Sequence, residues 1–148
     1  MASRIPVVRN MNYLYLTLQV AIMLLIILIL FMVGIEQYLL LGIALYLLLS
    51  VYLKVLIPKW HRKGVYLLKK GKLELAILSF QRSYEYFTRY EWIDRYRTFT
   101  LFSTSNFSYK EMALMNIIYC FEQLGDRGMA DKYHGILSRQ YPNNRYSR

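Results

Sequence analysis

Two apolar segments, Tyr13 to Val33 and Tyr38 to Ile57, constrain this sequence more than any other feature. Each is about 20 residues long, and at about 1.5 Å rise per residue such a helix crosses the roughly 30 Å hydrocarbon core of a membrane. Glu36, in the break, and Lys54, near the far end, are the only charged residues in this stretch. The remaining chain is too short to cover so much apolar surface. The sequence therefore predicts a membrane protein with two transmembrane helices.

Two other interpretations of these segments are weighed against two full spans. Arg4 and Arg9 precede the first segment as in a cleavable signal peptide. The apolar run is too long for one, no small-x-small cleavage site follows, and a second span comes at once, which favours an uncleaved anchor. A hairpin that enters and leaves the bilayer on one side places Glu36 near the bilayer middle, at a cost of a few kcal/mol. Two full spans are favoured over both.

The net charge of +10 is unevenly distributed about these spans. The short connection between them has no basic residue, whereas a basic run follows the second span: Lys54, Lys59, Arg62, Lys63, Lys69, Lys70 and Lys72. The positive-inside bias therefore predicts an integral membrane protein with both termini in the cytoplasm. The run is interpreted mainly as a topology determinant and solvated surface, and contact with anionic lipid head groups is compatible with both. Nucleic-acid binding is disfavoured, because the run adjoins the bilayer and no recognised nucleic-acid motif accompanies it.

From Pro58 onward the pattern is that of amphipathic helices, so the predicted fold class is all-α. We expect an N-terminal hairpin over residues 1–57 and a cytoplasmic module over 58–148. The predicted helices of the module run from Lys59 to Lys70, from Lys72 through Tyr84 with a possible extension to Tyr96, from Ser108 to Leu124, and from Asp126 to Gln140. Residues 97–108 are polar and β-branched and are predicted as a loop.

Short motifs mark the ends of these helices. Ser108-Tyr109-Lys110-Glu111 predicts a capping box that begins the third helix of the module. Gly71 and Gly125 are predicted to end helices, because glycine adopts positive φ at little cost.

The two helical pairs resemble tetratricopeptide (TPR) repeats, helix–turn–helix units of about 34 residues. The repeat units are placed at about 57–90 and 111–144, with an insertion at about 91–110. In the first unit the residues that match the repeat pattern are Trp60, Gly64, Gly71, Ala76 and Phe80. In the second unit they are Leu114, Phe121, Gly125, Ala130 and Pro142, followed by Asn143-Asn144. Four positions depart from the pattern: Lys63, Ser83, Ile118 and His134.

The resemblance implies a partner-binding groove lined by one face of the first helix of each unit. The implied lining residues are His61, Val65, Leu68, Lys69, Met115, Tyr119, Glu122 and Gln123. Some family members bind a C-terminal carboxylate with basic and asparagine side chains, and this sequence shows no matching set of such residues. The resemblance therefore implies protein binding without naming the partner.

Two repeats are fewer than the three or so that usually bury a continuous core. The module is therefore expected to be stabilised by contact with the insertion, the membrane end of the second span, a second copy or a partner. Aromatic residues around the insertion are candidates for this cover: Tyr86, Trp92, Phe99, Phe102 and Phe107. An equal alternative is that they close the open end of the module itself.

No active site is expected from this sequence. His61 and His134 are far apart, and His134 takes a repeat position that holds a buried aromatic, so a core histidine is expected. Cys120 lies in an apolar helical run and is interpreted as a packing residue. No metal-ligand spacing, nucleotide-binding loop or nucleophile elbow is found, so no enzyme activity, cofactor or metal is predicted.

The predicted function is that of a membrane-anchored TPR-like scaffold or adaptor, which binds a protein partner or assembles a complex at the cytoplasmic membrane surface. Two alternatives stay open. One is a homo-oligomeric structural organiser of the membrane, and the other is an accessory subunit of a transporter or membrane enzyme.

Overall fold

The structure is a computed structural model and describes residues 13–101, 105 and 107–144. It is all-α, which confirms the predicted fold class at that level. Arg4, Arg9 and Phe102, which entered the predictions above, lie outside the described residues. The helices of the described part are α1 (Tyr13–Met32), α2 (Tyr38–Leu56), α3 (Lys59–Lys69), α4 (Leu73–Arg89), α5 (Glu91–Arg95), α6 (Arg97–Thr100), α7 (Tyr109–Leu124) and α8 (Arg127–Gln140).

Helices α1 and α2 pack against each other as an antiparallel hairpin. Gly42 allows the close approach, because a Cβ atom built on it would lie only 2.6 Å from Cγ1 of Ile27. Gln19 lies eight residues before Ile27 and Ser50 eight residues after Gly42, so the antiparallel register places these two buried polar side chains at the same level. At the turn, Phe31 meets Tyr38 edge to face.

One helix of the described residues, α2, is long and apolar enough to cross a membrane. The apolar part of α1, Leu16–Met32, is shorter than a full span. Most leucines on both helices are exposed, since each helix buries only the side that faces the other. The structure thus contains one possible membrane-spanning helix, and two full spans stay a prediction.

Helices α3 and α4 form the first helical pair of the module. Gly64 lies directly against the ring of Phe80, at a position where a Cβ atom would be 2.6 Å from ring carbon Cε1. Phe80 and Ala76 are fully buried between the helices. The turn between them is made by Gly71, whose φ of 71° lies in the left-handed region as predicted.

The second pair, α7 and α8, packs on α4 and repeats the order of the first. Phe87 stacks on Tyr109 at one end of the α4–α7 contact, and Phe80 packs with Ile117 at the other, so α4 and α7 are antiparallel. Helix α8 therefore runs in the same direction as α4, and hydrogen bonds join the two helices: Gln81 to Tyr133 and Gln140 to Tyr84, each 2.8 Å long. The array thus has α3 and α7 parallel in one layer and α4 and α8 parallel in the other.

The insertion differs from its prediction in two places. Helix α4 ends at Arg89 and does not continue to Tyr96, because Tyr90 leaves the helical conformation with φ −114° and ψ 54°. The segment predicted as a loop begins with a short helix, α6. Its Thr100 hydroxyl donates a 2.7 Å hydrogen bond to the Ile93 carbonyl, so a polar β-branched residue stabilises the helical segment here.

The insertion covers the open end of the first pair, in part with residues other than those expected. Ile93 and Leu101 bury themselves against Phe87, and Ile57, the residue after α2, packs on the same cluster. Tyr86 packs beside this cluster and Phe107 beside the α7–α8 core. Trp92 and Phe99 instead remain more than half exposed. Under α5 and α6 the buried side chains of the insertion are thus aliphatic, whereas Trp92, Tyr96 and Phe99 face outward.

The Gly64–Phe80 contact gives a direct test of the α3–α4 packing. Gly64→Ala is expected to lower the free energy of unfolding by about 1–3 kcal/mol, because its new methyl group must displace a buried ring. Gly135→Ala in α8 is the matched control. Nothing lies within 4 Å of the added Cβ there, so a gain of up to about 1 kcal/mol is expected from helix propensity. Thermal unfolding followed by circular dichroism measures both, and equal melting temperatures for the two variants would contradict the packing.

Candidate functional site

The predicted groove lies on the layer formed by the parallel helices α3 and α7. The two helices meet where each begins, with the rings of His61 and Tyr109 5.3 Å apart and nearly perpendicular. Further along, Val65 and Tyr119 are half-buried and pack on the same core cluster as Leu68. The structure therefore brings residues from both predicted halves of the groove together.

Three of the predicted groove residues are core residues in this structure. His61, Leu68 and Met115 are only 8 %, 6 % and 2 % exposed. A periodic pattern of helix positions does not show which positions a neighbouring helix covers. Here α4 and α7 cover His61 and Leu68, and α8 covers Met115. The accessible part of the layer consists of the half-buried Val65 and Tyr119 with the exposed Lys69 and Gln123.

Glu122 is directed towards α8 and away from α3. Its Oε1 lies 3.3 Å from Nε2 of His134. His134 was expected in the core, but its side chain is 33 % exposed. A polar histidine at this position stays at the edge of the α7–α8 pair, where the carboxylate of Glu122 is within reach.

His61 lies between aromatic rings on both sides. Phe80 meets it edge to face at 5.4 Å, opposite to the Tyr109 contact. Its Nδ1 is buried with no hydrogen-bond partner in the described part of the chain. Burial lowers the pKa of His61 from 6.5 to about 4, so the imidazole is neutral at neutral pH and acts as a packing group.

This burial predicts a pH dependence of stability. Between pH 6.5 and 4 the unfolded chain binds a proton at His61 that the folded chain does not bind, so stability falls as pH falls through this window, by about 3 kcal/mol in total. Burial raises the pKa values of Asp94 and Glu111, and these carboxyl groups contribute with the opposite sign. The comparison must therefore be made with His61→Phe, which keeps a ring between Phe80 and Tyr109.

The free energy of unfolding of wild type and His61→Phe is measured by chemical denaturation from pH 7 to pH 4. We expect the difference between them to shift in favour of the variant as the pH falls. A constant difference would show that His61 titrates normally in the folded state.

The N-terminus of α7 is a polar junction that the sequence revealed only in part. The predicted capping box is present: Ser108 Oγ accepts from the Glu111 N–H at 3.1 Å, and Glu111 accepts from the Ser108 N–H. Asp94, from α5, accepts from the N–H groups of Tyr109 and Lys110 at 2.8 and 3.0 Å. Three consecutive amides at the start of α7 thus have carboxylate or hydroxyl partners, as the exposed donors of a helix N-terminus require.

The C-terminal turn after α8 joins the same junction. The Asn144 side-chain amide donates a 2.6 Å hydrogen bond to Glu111, and the hydroxyls of Tyr141 and Ser108 lie 3.1 Å apart. Asp94 and Asn144 were not identified from sequence, because their partners are 15 and 33 residues away. No local motif encodes a contact over such a distance.

Asp94 is predicted to stabilise the module by capping α7. Asp94→Ala should lower the free energy of unfolding by about 1–2 kcal/mol and speed hydrogen exchange at the amides of Tyr109 and Lys110. Glu91→Ala is the control, since the exposed Glu91 is on the same short helix and has only a 3.7 Å contact with Lys110. Equal stability of the two variants would show that Asp94 contributes nothing as a cap.

The remaining candidates for chemistry are placed as follows. Cys120 is fully buried in the α3–α4–α7 core, and burial raises the pKa of its thiol to about 12, which keeps it protonated at neutral pH. Within the described residues, no cluster of His, Cys, Asp or Glu has the arrangement of a metal site.

All seven residues of the basic run after the second span are exposed. Lys59 and Lys63 each hold their ammonium group 5.6 Å from the ring of Trp60. The guanidinium of Arg82 lies 4.9 Å from the same ring. This side of the first pair is therefore cationic around a single aromatic residue.

Comparison of the chain with protein-family models, with curated proteins and with solved structures gives no significant match. Membership of the tetratricopeptide family therefore stays a prediction.

Proposed function

We propose that this chain is a membrane-anchored adaptor. The α1–α2 hairpin fixes the module at the cytoplasmic surface, and the layer of α3 and α7 binds a segment of a protein partner. The observation that carries the proposal is the parallel placement of α3 and α7, which leaves Val65 and Tyr119 half-buried beside the exposed Lys69 and Gln123. Such a surface offers apolar contact at its centre and polar contact at its rim, as protein-binding surfaces commonly do.

The membrane attachment is supported by the hairpin and by the charges that follow it. Helix α2 is apolar over a membrane-spanning length, and the outward leucines of both helices have no protein cover in the described part of the chain. Every lysine and arginine of the run from Lys54 to Lys72 is exposed. This excess on one side supports two spans with both termini in the cytoplasm.

The arrangement of the helix pairs supports the resemblance to tetratricopeptide repeats. First helices lie beside first helices and second helices beside second helices. Glycine or alanine allows close packing within each pair, since Gly64, Ala76 and Ala130 are buried. The partner chemistry follows from the accessible groove residues: a segment that places an apolar side chain near Tyr119 and an acidic group near Lys69. Lys69 shares its exposed side of α3 with Arg62, which strengthens the preference for an acidic segment.

A pair of charge reversals tests this chemistry, because the two variants have the same net charge, each two units below that of the wild type. Lys69→Glu should weaken partner capture by about tenfold, the cost expected when one favourable contact becomes repulsive. Lys63→Glu alters the charge equally on another side of α3, beside Trp60, and should leave capture unchanged. Equal losses in the two variants would mean that general electrostatic attraction, and not the groove, holds the partner.

Photo-crosslinking in native membranes identifies the partner directly. A photoreactive phenylalanine analogue at Tyr119 should give a discrete adduct with a second protein, found by mass spectrometry. The same probe at Glu85, exposed on the outer side of α4, should not. Adducts only to the chain itself would replace the adaptor with the homo-oligomeric organiser. Adducts to a large transporter or membrane enzyme would identify an accessory subunit. Identical adducts from both positions would contradict binding of the partner in the groove.

A further inference from the structure

The insertion has an outward aromatic surface that the adaptor function does not use. Helices α5 and α6 form an almost continuous helical segment, because the N–H of Tyr96 bonds to the Trp92 carbonyl and that of Leu101 bonds to the Arg97 carbonyl. One side of this segment carries Ile93 and Leu101, both buried against Phe87. The insertion is therefore amphipathic, with its aliphatic side inward.

The opposite side carries three aromatic residues, Trp92, Tyr96 and Phe99, which we call the aromatic face. They recur at spacings of four and three, so one side of the segment holds all of them. Their exposed fractions are 58 %, 55 % and 51 %. Three neighbouring aromatic side chains, each more than half exposed, form an apolar surface of the kind that marks an interaction site.

The aromatic face is continuous with the apolar surface of the hairpin. Helix α6 lies next to α1, and Ile57, directly after α2, packs on the cluster that holds Ile93 and Leu101. The same short segment thus contacts helix α1 of the hairpin and the residue that directly follows α2. A bilayer that holds α1 and α2 would therefore lie close to the insertion.

The charges of the insertion favour a membrane surface over a protein. Both acidic residues of α5 are drawn towards α7: Glu91 lies 3.7 Å from Lys110, and Asp94 is buried at the α7 N-terminus. Arg95 is exposed among the aromatic residues, where its guanidinium can meet lipid phosphate. Tryptophan and tyrosine with a basic residue are the composition of interfacial helices at membranes.

We infer that the aromatic face lies in the head-group region of the bilayer, so that the insertion is a second, interfacial membrane contact beside the hairpin. The contact fixes the orientation of the α3–α7 layer relative to the membrane and keeps it open to the cytoplasm. This inference rests on the membrane attachment under the proposed function. The partner-binding role of the groove is independent of it.

The test uses tryptophan fluorescence of the full-length chain in nanodiscs of phosphatidylcholine and phosphatidylglycerol. The chain contains two tryptophans, so Trp60→Phe leaves Trp92 as the single reporter. Lipids brominated near the head-group end of the acyl chain quench only indoles at that depth. We expect these lipids to remove about half of the Trp92 emission, as for other interfacial tryptophans.

Two single-tryptophan controls, made in a Trp60→Phe/Trp92→Phe background, separate the possible failures. Leu47→Trp, at the middle of α2, reports on the hairpin and is read with lipids brominated near the end of the acyl chain, which quench indoles at the bilayer centre. Leu78→Trp, exposed on α4, reports on the module. The inference requires quenching at position 92 by the head-group-level lipids, quenching at position 47 by the deeper lipids, and quenching at position 78 by neither. Quenching at 47 alone would overturn the interfacial contact and leave the hairpin anchor intact. No quenching at 47 would overturn the membrane attachment itself, and with it this inference.

Discussion

The uncovered apolar surface of α1 and α2 is the constraint on which the rest of this structure depends. Each helix buries only the side that faces its neighbour, and the outward leucines have no cover in the described part of the chain. Exposed apolar area costs about 25 cal/mol per Å² in water, so this surface requires an apolar cover, which the proposed membrane attachment supplies. Because α3 begins three residues after α2 ends, no linker separates the module from the hairpin.

The insertion covers the end of the core that a short repeat array would leave open. Two helical pairs alone leave one end of the core open, and residues 91–101 close that end with Ile93 and Leu101. The same segment supplies Asp94 to the start of α7, where the capping box and Asn144 also meet. The α7 N-terminus therefore joins the insertion, the second pair and the C-terminal turn into one unit.

The parts of the fold that follow from local sequence could be predicted. The capping box at Ser108, the left-handed glycines 71 and 125 and the four long helices of the module depend on neighbouring residues only, and the structure confirms them. Gly64 and Phe80 were both identified as matches to the repeat pattern, and the structure places them in contact. Membership of the tetratricopeptide family, which suggested this pattern, stays a prediction. The contact itself is present in the structure.

The candidate site was less predictable, because it depends on which helix covers which side. His61, Leu68 and Met115 have the spacing of a groove but are covered by neighbouring helices. Trp92 and Phe99 were candidates for covering the open end of the module, yet Ile93 and Leu101 are the residues that pack on Phe87 there. Which side of a helix is buried depends on the helices that pack against it. The sequence therefore predicted that these helices form, but not which of their residues are accessible.

The position of Glu36 relative to the bilayer tests the central claim most directly. Single cysteines at Glu36, between the spans, and at Lys72, after α3, are labelled in intact cells with a maleimide that does not cross membranes. The native Cys120 gives little background, because its thiol is buried and has its pKa raised to about 12. A two-span anchor with a cytoplasmic module predicts labelling of Glu36→Cys in intact cells and of Lys72→Cys only after permeabilisation. Labelling of both only after permeabilisation would contradict a hairpin that crosses the membrane.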